Sequence, residues 1–333
     1  MPKTSASAQK IALALQGGGA HTAFSWGAVD QLLMDEKIEI DAISATSGGA
    51  VIACVLAQGL HDGGRENARA LLQAFWKKVS VAASMMPLRI NVVDTLLSHA
   101  GIDMSPSSMA LDYFTKVFSP SQFNLFDINP VRGILEEMVD FDMLRKESPV
   151  RLYINATHAR TGESTVFDTA NISLDAVMAS SCLPFIFKTV EVNGEPYWDG
   201  SFSGCPSLAP LIKDKHVSDI VLVQVHQSRI DEVPTSATDI LDRATELSFQ
   251  SILRLELQNL ELHNRLIQAG KSDRKPITLH RIEAAEMLSS LGRASKLNAE
   301  WNFLVHVHDM GVQAATDWLE QFNKNSSELK EVG

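Results

Sequence analysis

Ser47 stands in Ala45-Thr46-Ser47-Gly48-Gly49, with a small residue two positions to either side of it. Such a setting can display a serine nucleophile. A sharp strand-to-helix turn lifts the hydroxyl clear of the backbone, and only Gly or Ala at the flanking places leaves room for neighbouring strands and the local strain. Ile38-Glu39-Ile40-Asp41-Ala42-Ile43-Ser44 reads as the strand leading in, and Ala50-Val51-Ile52-Ala53-Cys54-Val55-Leu56-Ala57 as a buried helix leading out. Ser47 then sits at a helix N-terminus. There, orphan amides and the positive end of the helix dipole favour the negative charge that develops when an oxygen attacks a carbonyl. Taken alone, the pentapeptide is more often a structural turn than a nucleophile, so its context decides.

Two other segments supply that context. Ile11-Ala12-Leu13-Ala14-Leu15 is an apolar strand running into Gln16-Gly17-Gly18-Gly19-Ala20-His21-Thr22 and then into a helix carrying Phe24, Trp26, Val29, Leu32 and Leu33. Consecutive glycines bare their amides to an anion, either a nucleotide phosphate or the oxyanion of an acyl-transfer intermediate. Neither a Lys-Ser/Thr pair nor a spaced G-x-G-x-x-G follows, so the oxyanion reading fits better. Its candidate donors are the amides of Gly18, Gly19 and Gly48, with Gly17 beside them. A tight strand-to-helix turn is the plainer alternative. The second segment, Glu195-Pro196-Tyr197-Trp198-Asp199-Gly200-Ser201-Phe202, is a short apolar strand ending in an acid and a glycine, a pair that often marks only a turn. No histidine has a convincing setting as partner to Ser47, which leaves Asp199 to be weighed as the base itself.

Together these segments resemble the patatin-like phospholipase family. The family's glycine-rich loop corresponds to Gln16-Gly17-Gly18-Gly19-Ala20-His21, its G-x-S-x-G to residues 45–49, and its Asp-Gly-Gly/Ala to Asp199-Gly200-Ser201. The block Ala176-Val177-Met178-Ala179-Ser180-Ser181-Cys182-Leu183-Pro184-Phe185 looks like the family's helix ending at Ser-x-x-x-Pro, so residues 11 to about 215 are covered. Later stretches around Asp242-Arg243 and Ser295-Lys296 also look like a bacterial subgroup of patatin-like proteins. The resemblance implies a Ser47–Asp199 dyad, an acyl-serine intermediate and no cofactor or metal. Burial raises a carboxylate's proton affinity toward the range where it can accept a proton from serine. Ala45, His21, Thr22 and Ser201 depart from the family pattern, which has Gly, Arg or Lys, Gly, and a smaller residue in those places. A neutral imidazole at His21 would meet a lipid phosphate less well above its pKa of roughly 6.5. His21 and Thr22 are therefore kept as candidate substrate-binding residues.

The elements that must position these groups are those of an α/β protein. Strands and helices alternate from residue 11 to about 225, which predicts a three-layer α/β/α arrangement around a mostly parallel sheet. Val150–Thr157 and Asp219–Val225 read as further strands, and ligands of such sheets bind at the carboxyl ends of strands, where all three segments fall. Residues 1–10 read as a polar tail, 11–235 as the catalytic domain, and 236–333 as a helical C-terminal extension. Within the domain, 80–130 loosens into Met- and Ser-rich stretches, either a lid with Met85 and Met86 as acyl-chain contacts or the ordinary packing of an insertion. Apolar residues at three- and four-residue steps predict a helix over about 237–268, roughly 48 Å long. It either packs along the core or serves as a dimerisation or interfacial helix.

Composition limits the partners. A net charge of −11 over 333 residues argues against nucleic acid and against strong electrostatic attachment to anionic membranes. A lipid or acyl-ester substrate and transient contact with a lipid surface fit it, with a homodimer through the C-terminal helices as a further expectation. Three cysteines, Cys54, Cys182 and Cys205, read as reduced thiols of a cytoplasmic protein. No apolar run approaches the roughly 20 residues needed to span a bilayer. His306 and His308, two apart on a predicted helix, point to different faces and make a poor metal pair.

Overall fold

The computed structural model describes residues 8–85, 129–226, 230, 233–235, 237–284, 288, 291 and 293–331. Among these, one sheet contains eight strands: β1 (Gln9–Leu15), β2 (Ile38–Thr46), β3 (Arg151–His158), β4 (Ser164–Asp168), β5 (Val190–Val192), β6 (Glu195–Asp199), β7 (Asp219–Gln224) and β8 (Thr278–Glu283). The helices are α1 (Ala23–Met34), α2 (Gly48–Ser84), α3 (Pro130–Met138), α4 (Phe141–Glu147), α5 (Leu174–Ser180), α6 (Ala209–Lys213), α7 (Ala237–Gln268) and α8 (Trp301–Glu331).

Alternation along the strands divides the core in two. Ile11, Leu13 and Leu15 of β1 join Val221 and Val223 of β7 on one face, while Ala12 and Ala14 join Ile220 and Leu222 on the other. Helices α1, α2, α5 and α8 cover the first face, and α6 and α7 the second, giving the three layers expected. Leu253 and Leu260 of α7 are buried there, each stabilising the fold by about 1.5–3 kcal/mol. Ile240, Leu247, Leu255 and Leu262 of the same helix remain exposed.

The parallel part of the sheet runs β3-β2-β1-β7-β8, and β4, β6 and β5 add an antiparallel margin. One feature of the register sets up the site. Along one edge of β3, Arg151–Asn155 pair with Ala42–Thr46 of β2; beyond the end of β2, β6 takes that edge, placing Ala156 opposite Asp199. The other edge of β3 belongs to β4. Ser47, the residue after Thr46, and Asp199 are therefore delivered to one spot from opposite directions.

Helix α2 breaks at Gly63–Gly64, where the backbone leaves the helical region. Its second arm folds back, with an added Cβ at Gly59 lying 2.4 Å from the Ala68 Cα. Arg65 donates to the carbonyls of Asp35 and Ile38 at the far end of α1, whereas Trp76 stacks on Trp26 near its start. This arm thus returns to the end of the sheet that carries Ser47.

Beyond residue 236 the chain is not only helical. Thr278–Glu283 joins the sheet as β8, parallel to β7. Helix α8 then crosses α1 at backbone contact: a Cβ on Gly27 would lie 1.9 Å from the His308 carbonyl oxygen, and one on Gly311 2.0 Å from that of Phe24. No helix among the described residues is long and apolar enough to cross a membrane.

Candidate active site

Ser47 occupies the left-handed side of backbone space, with φ 57° and ψ −129°, immediately before the first residue of α2. A non-glycine residue there is strained, and the surrounding contacts hold it. Its own N–H donates to the Ser180 Oγ at 2.9 Å, from the last turn of α5. On the other side the glycine loop comes so close that a Cβ on Gly17 would sit 2.4 Å from the Ser47 Cβ. Gly19 has φ +59°. Among the described residues, the amides of Gly17, Gly18, Gly19 and Gly48 donate to no protein acceptor. Unspent donors beside a strained serine at a helix N-terminus are what an oxyanion hole requires.

Asp199 is 1% exposed. Its Oδ1 accepts from the Ser201 N–H at 2.8 Å, whereas its Oδ2 is buried without a hydrogen bond of ordinary geometry. Burial pushes the carboxyl up to about 6, against the pull of the Ser201 amide and of the Ser47 and Ser201 hydroxyls. The Ser47 hydroxyl is thus close enough to favour the charged carboxylate without closing a good hydrogen bond. Backbone ties fix the turn: the Asp199 N–H donates to the Cys182 carbonyl at 2.8 Å, and the Thr157 hydroxyl to the Asp199 carbonyl at 2.8 Å. Asn155 Nδ2 donates to the carbonyls of Gly200 at 2.7 Å and Gly204 at 3.2 Å, and Thr46 Oγ1 to that of Gly204 at 2.8 Å.

The remaining expected residues fall in different places. His21 is buried, its Nε2 2.7 Å from the Ser295 Oγ, and burial, with Lys296 and His226 adding to it, pushes it down to about 3. Thr22 is fully buried, its Oγ1 2.5 Å from where a Cβ on Gly48 would stand and without a hydrogen-bond partner. Met85 lies beyond the returning arm of α2 and is 78% exposed; Met86 and most of the 80–130 stretch fall outside the described residues. Among the described residues, no histidine is hydrogen-bonded to Ser47. His158 pairs instead with Glu195 at 3.0 Å. Nor is any group of three or more His, Cys, Asp or Glu among them placed to share a metal. The three cysteines are buried, and none of them is in a disulfide.

Asn155 and Gln16 act in this architecture without having been singled out by the sequence. Gln16 Oε1 accepts from the amides of Val225 at 2.8 Å and His226 at 3.1 Å, and its Nε2 donates to the Cys205 carbonyl at 3.1 Å, pinning the start of the glycine loop. A polar side chain set between the buried apolar residues Ile154 and Ala156, as at Asn155, was the available signal.

The family model described as patatin-like phospholipase matches residues 13–207. No curated protein matches the chain. Among solved structures, VipD from Legionella pneumophila is similar, with TM-score 0.39 and 13% identity over 90% of this chain and 66% of that one. Full-length ExoU from the type III secretion system of Pseudomonas aeruginosa, in complex with SpcU, gives TM-score 0.31 and 12% identity over 93% of this chain and 53% of that one. The chain therefore spans between about half and two thirds of the length of these structures. With the family model covering more than half of its residues, the chain belongs to the patatin-like phospholipase family.

Proposed function

We propose that this protein is a lipid acyl hydrolase that cleaves carboxylic esters through Ser47 and Asp199. One observation carries the reading: a strained serine at a helix start packs against a glycine loop with unspent amides, beside a buried carboxylate pushed up to about 6 with one oxygen unpartnered. Ser47 Oγ attacks the ester carbonyl while its proton passes to Asp199. The amides of the 17–19 loop and of Gly48 meet the oxyanion of the tetrahedral intermediate. Collapse expels the alcohol, which takes the proton and leaves an acyl-Ser47. Water, deprotonated by the same carboxylate, then releases the fatty acid.

The buried setting of His21 favours a structural role over headgroup contact. Thr22, walled in against Gly48, lines the site only from beneath. Met85, exposed beyond the arm that returns to the Ser47 end, fits an acyl-chain contact.

Labelling with an organophosphonate tests the nucleophile. Ser47 should be modified in folded protein and not in Ser47→Ala; an unmodified Ser47 beside a reactive control esterase would mean a non-catalytic binder. Profiling phospholipids, monoacylglycerols, acyl thioesters and hydroxyalkanoate oligomers should show carboxylic acyl esters of lipids turned over fastest. Fastest turnover of thioesters or hydroxyalkanoates would move the assignment to a sibling hydrolase.

A further inference from the structure

The glycine loop is enclosed by residues that lie outside the segment matched by the family model. Gly18 packs against Val225, whose side chain would lie 2.9 Å from an added Cβ. The Lys296 carbonyl covers Gly19, 2.4 Å from where its Cβ would be. His21 reaches Ser295 and lies 6.3 Å, ring to ring, from Phe303. Lys296 is itself held by an ion pair to Glu246 of α7, which Arg243 also approaches at 3.5 Å. Three consecutive glycines have little conformational preference of their own, so a loop that must aim its amides needs outside restraint. The last side chain of this loop offering a polar contact to that segment is His21, and its partner is a hydroxyl, not a charge.

We infer that Ser295 and Lys296 are positioning residues for the reaction at Ser47: they clamp the glycine loop through His21 and Gly19 and so hold the candidate oxyanion donors on target. This rests on the hydrolase reading above. It assigns the C-terminal segment a part in catalysis without any contact of its own with substrate. A neutral His21 suits the clamp, since burial, with Lys296 and His226 adding to it, opposes its protonation.

The test pairs kinetics on a short-chain ester with hydrogen exchange of the peptide containing residues 16–22, both on the full chain. Ser295→Ala should lower kcat about 10- to 100-fold with KM within about twofold, the scale of misplaced rather than deleted oxyanion donors. Exchange of the loop peptide should quicken several-fold, while thermal unfolding stays cooperative. Ser295→Thr, which keeps the hydroxyl, should recover most of kcat. His21→Ala with Ser295→Ala should lose no more than the worse single variant, because both ends of one contact are removed. A kcat within twofold of wild type in Ser295→Ala overturns the clamp even if exchange changes. Unchanged loop exchange overturns it whatever the kinetics. If Ser47→Ala hydrolyses as fast as wild type, the hydrolase reading fails instead, and the exchange arm still decides whether Ser295 restrains the loop.

Discussion

To serve as the base proposed above, Asp199 would hold a charge in a place that disfavours charge, and that conflict can be measured. Its carboxyl ionises near 3.8 in the unfolded chain and near 6 in the folded one, because burial penalises the anion. A base must be ionised to accept a proton, so kcat/KM should rise with pH through about 6 and level off above it; a rate flat from pH 4.5 to 8 would exclude Asp199 as base. Stability runs the other way. The folded state holds the proton more tightly, so the cost of the buried anion is absent below about pH 4, grows to pH 6 and stays near 3 kcal/mol above it. Asp199→Asn should then abolish turnover yet raise the unfolding free energy at pH 7.5, read by denaturant titration, by about 1–3 kcal/mol, with almost no gain at pH 4. Near wild-type turnover in this variant would hand the proton transfer to another group. Gly17→Ala makes a sharper local test: its Cβ must displace Ser47, and kcat should fall by two orders of magnitude or more with the fold intact. Ser47, Asp199 and the three glycines could be grouped as a candidate site from the sequence because their chemistry and their backbone demands coincide. Asn155 was marked only as a polar residue in a strand: it grips two carbonyls of a turn some 45 residues away, and one-dimensional spacing carries no sign of that partner.

At the scale of elements, the strands that read clearly were those buried on both faces. Ile11–Leu15 and Asp219–Val225 are nearly continuous apolar runs, Ile38–Ser44 and Val150–Thr157 keep an apolar residue at every second place, and each became a strand within a residue or two of its expected ends. β8 escaped notice because it sits at the margin, where His280 and Arg281 interrupt the apolar pattern. Its His280 bonds Asp219 of β7 at 3.1 Å, so a polar residue supports the very pairing it disguises. The crossing of α8 on α1 was hidden for a different reason: Gly27 and Gly311 lie 284 positions apart and mean something only together. Gly311→Ala would drive a methyl group into the Phe24 carbonyl and force the helices apart. Overpacking of this kind costs about 1–3 kcal/mol, so the thermal midpoint should drop by several degrees. An unchanged midpoint would mean that the helices separate there without loss of other contacts.

For the whole molecule, the boundary of the family match and the boundary of the folded unit are different things. Residues 13–207 carry Ser47, the glycine loop and Asp199, but β7 lies outside them, and it pairs with the inner edge of β1, the strand that leads into the loop. Without β7 and β8 that edge lies open along Ala12–Leu15, a template for pairing with other chains. Without α7, the face made by Ala12, Ala14 and Ala42 loses its cover, and without α8, the glycine contact on α1 loses its second half. A chain ended after Ser207 should therefore aggregate or collapse loosely, binding a hydrophobic dye and melting without a cooperative transition, while the full chain melts in one. Comparing the two by denaturation and dispersion of amide proton resonances decides the matter. If the shortened chain unfolds cooperatively as a monomer and its Ser47 reacts with a phosphonate at the full-length rate, the C-terminal third is an appendage. If it does not, the site is a product of the entire sheet, and the residues that aim its chemistry are spread from Gln16 to Lys296.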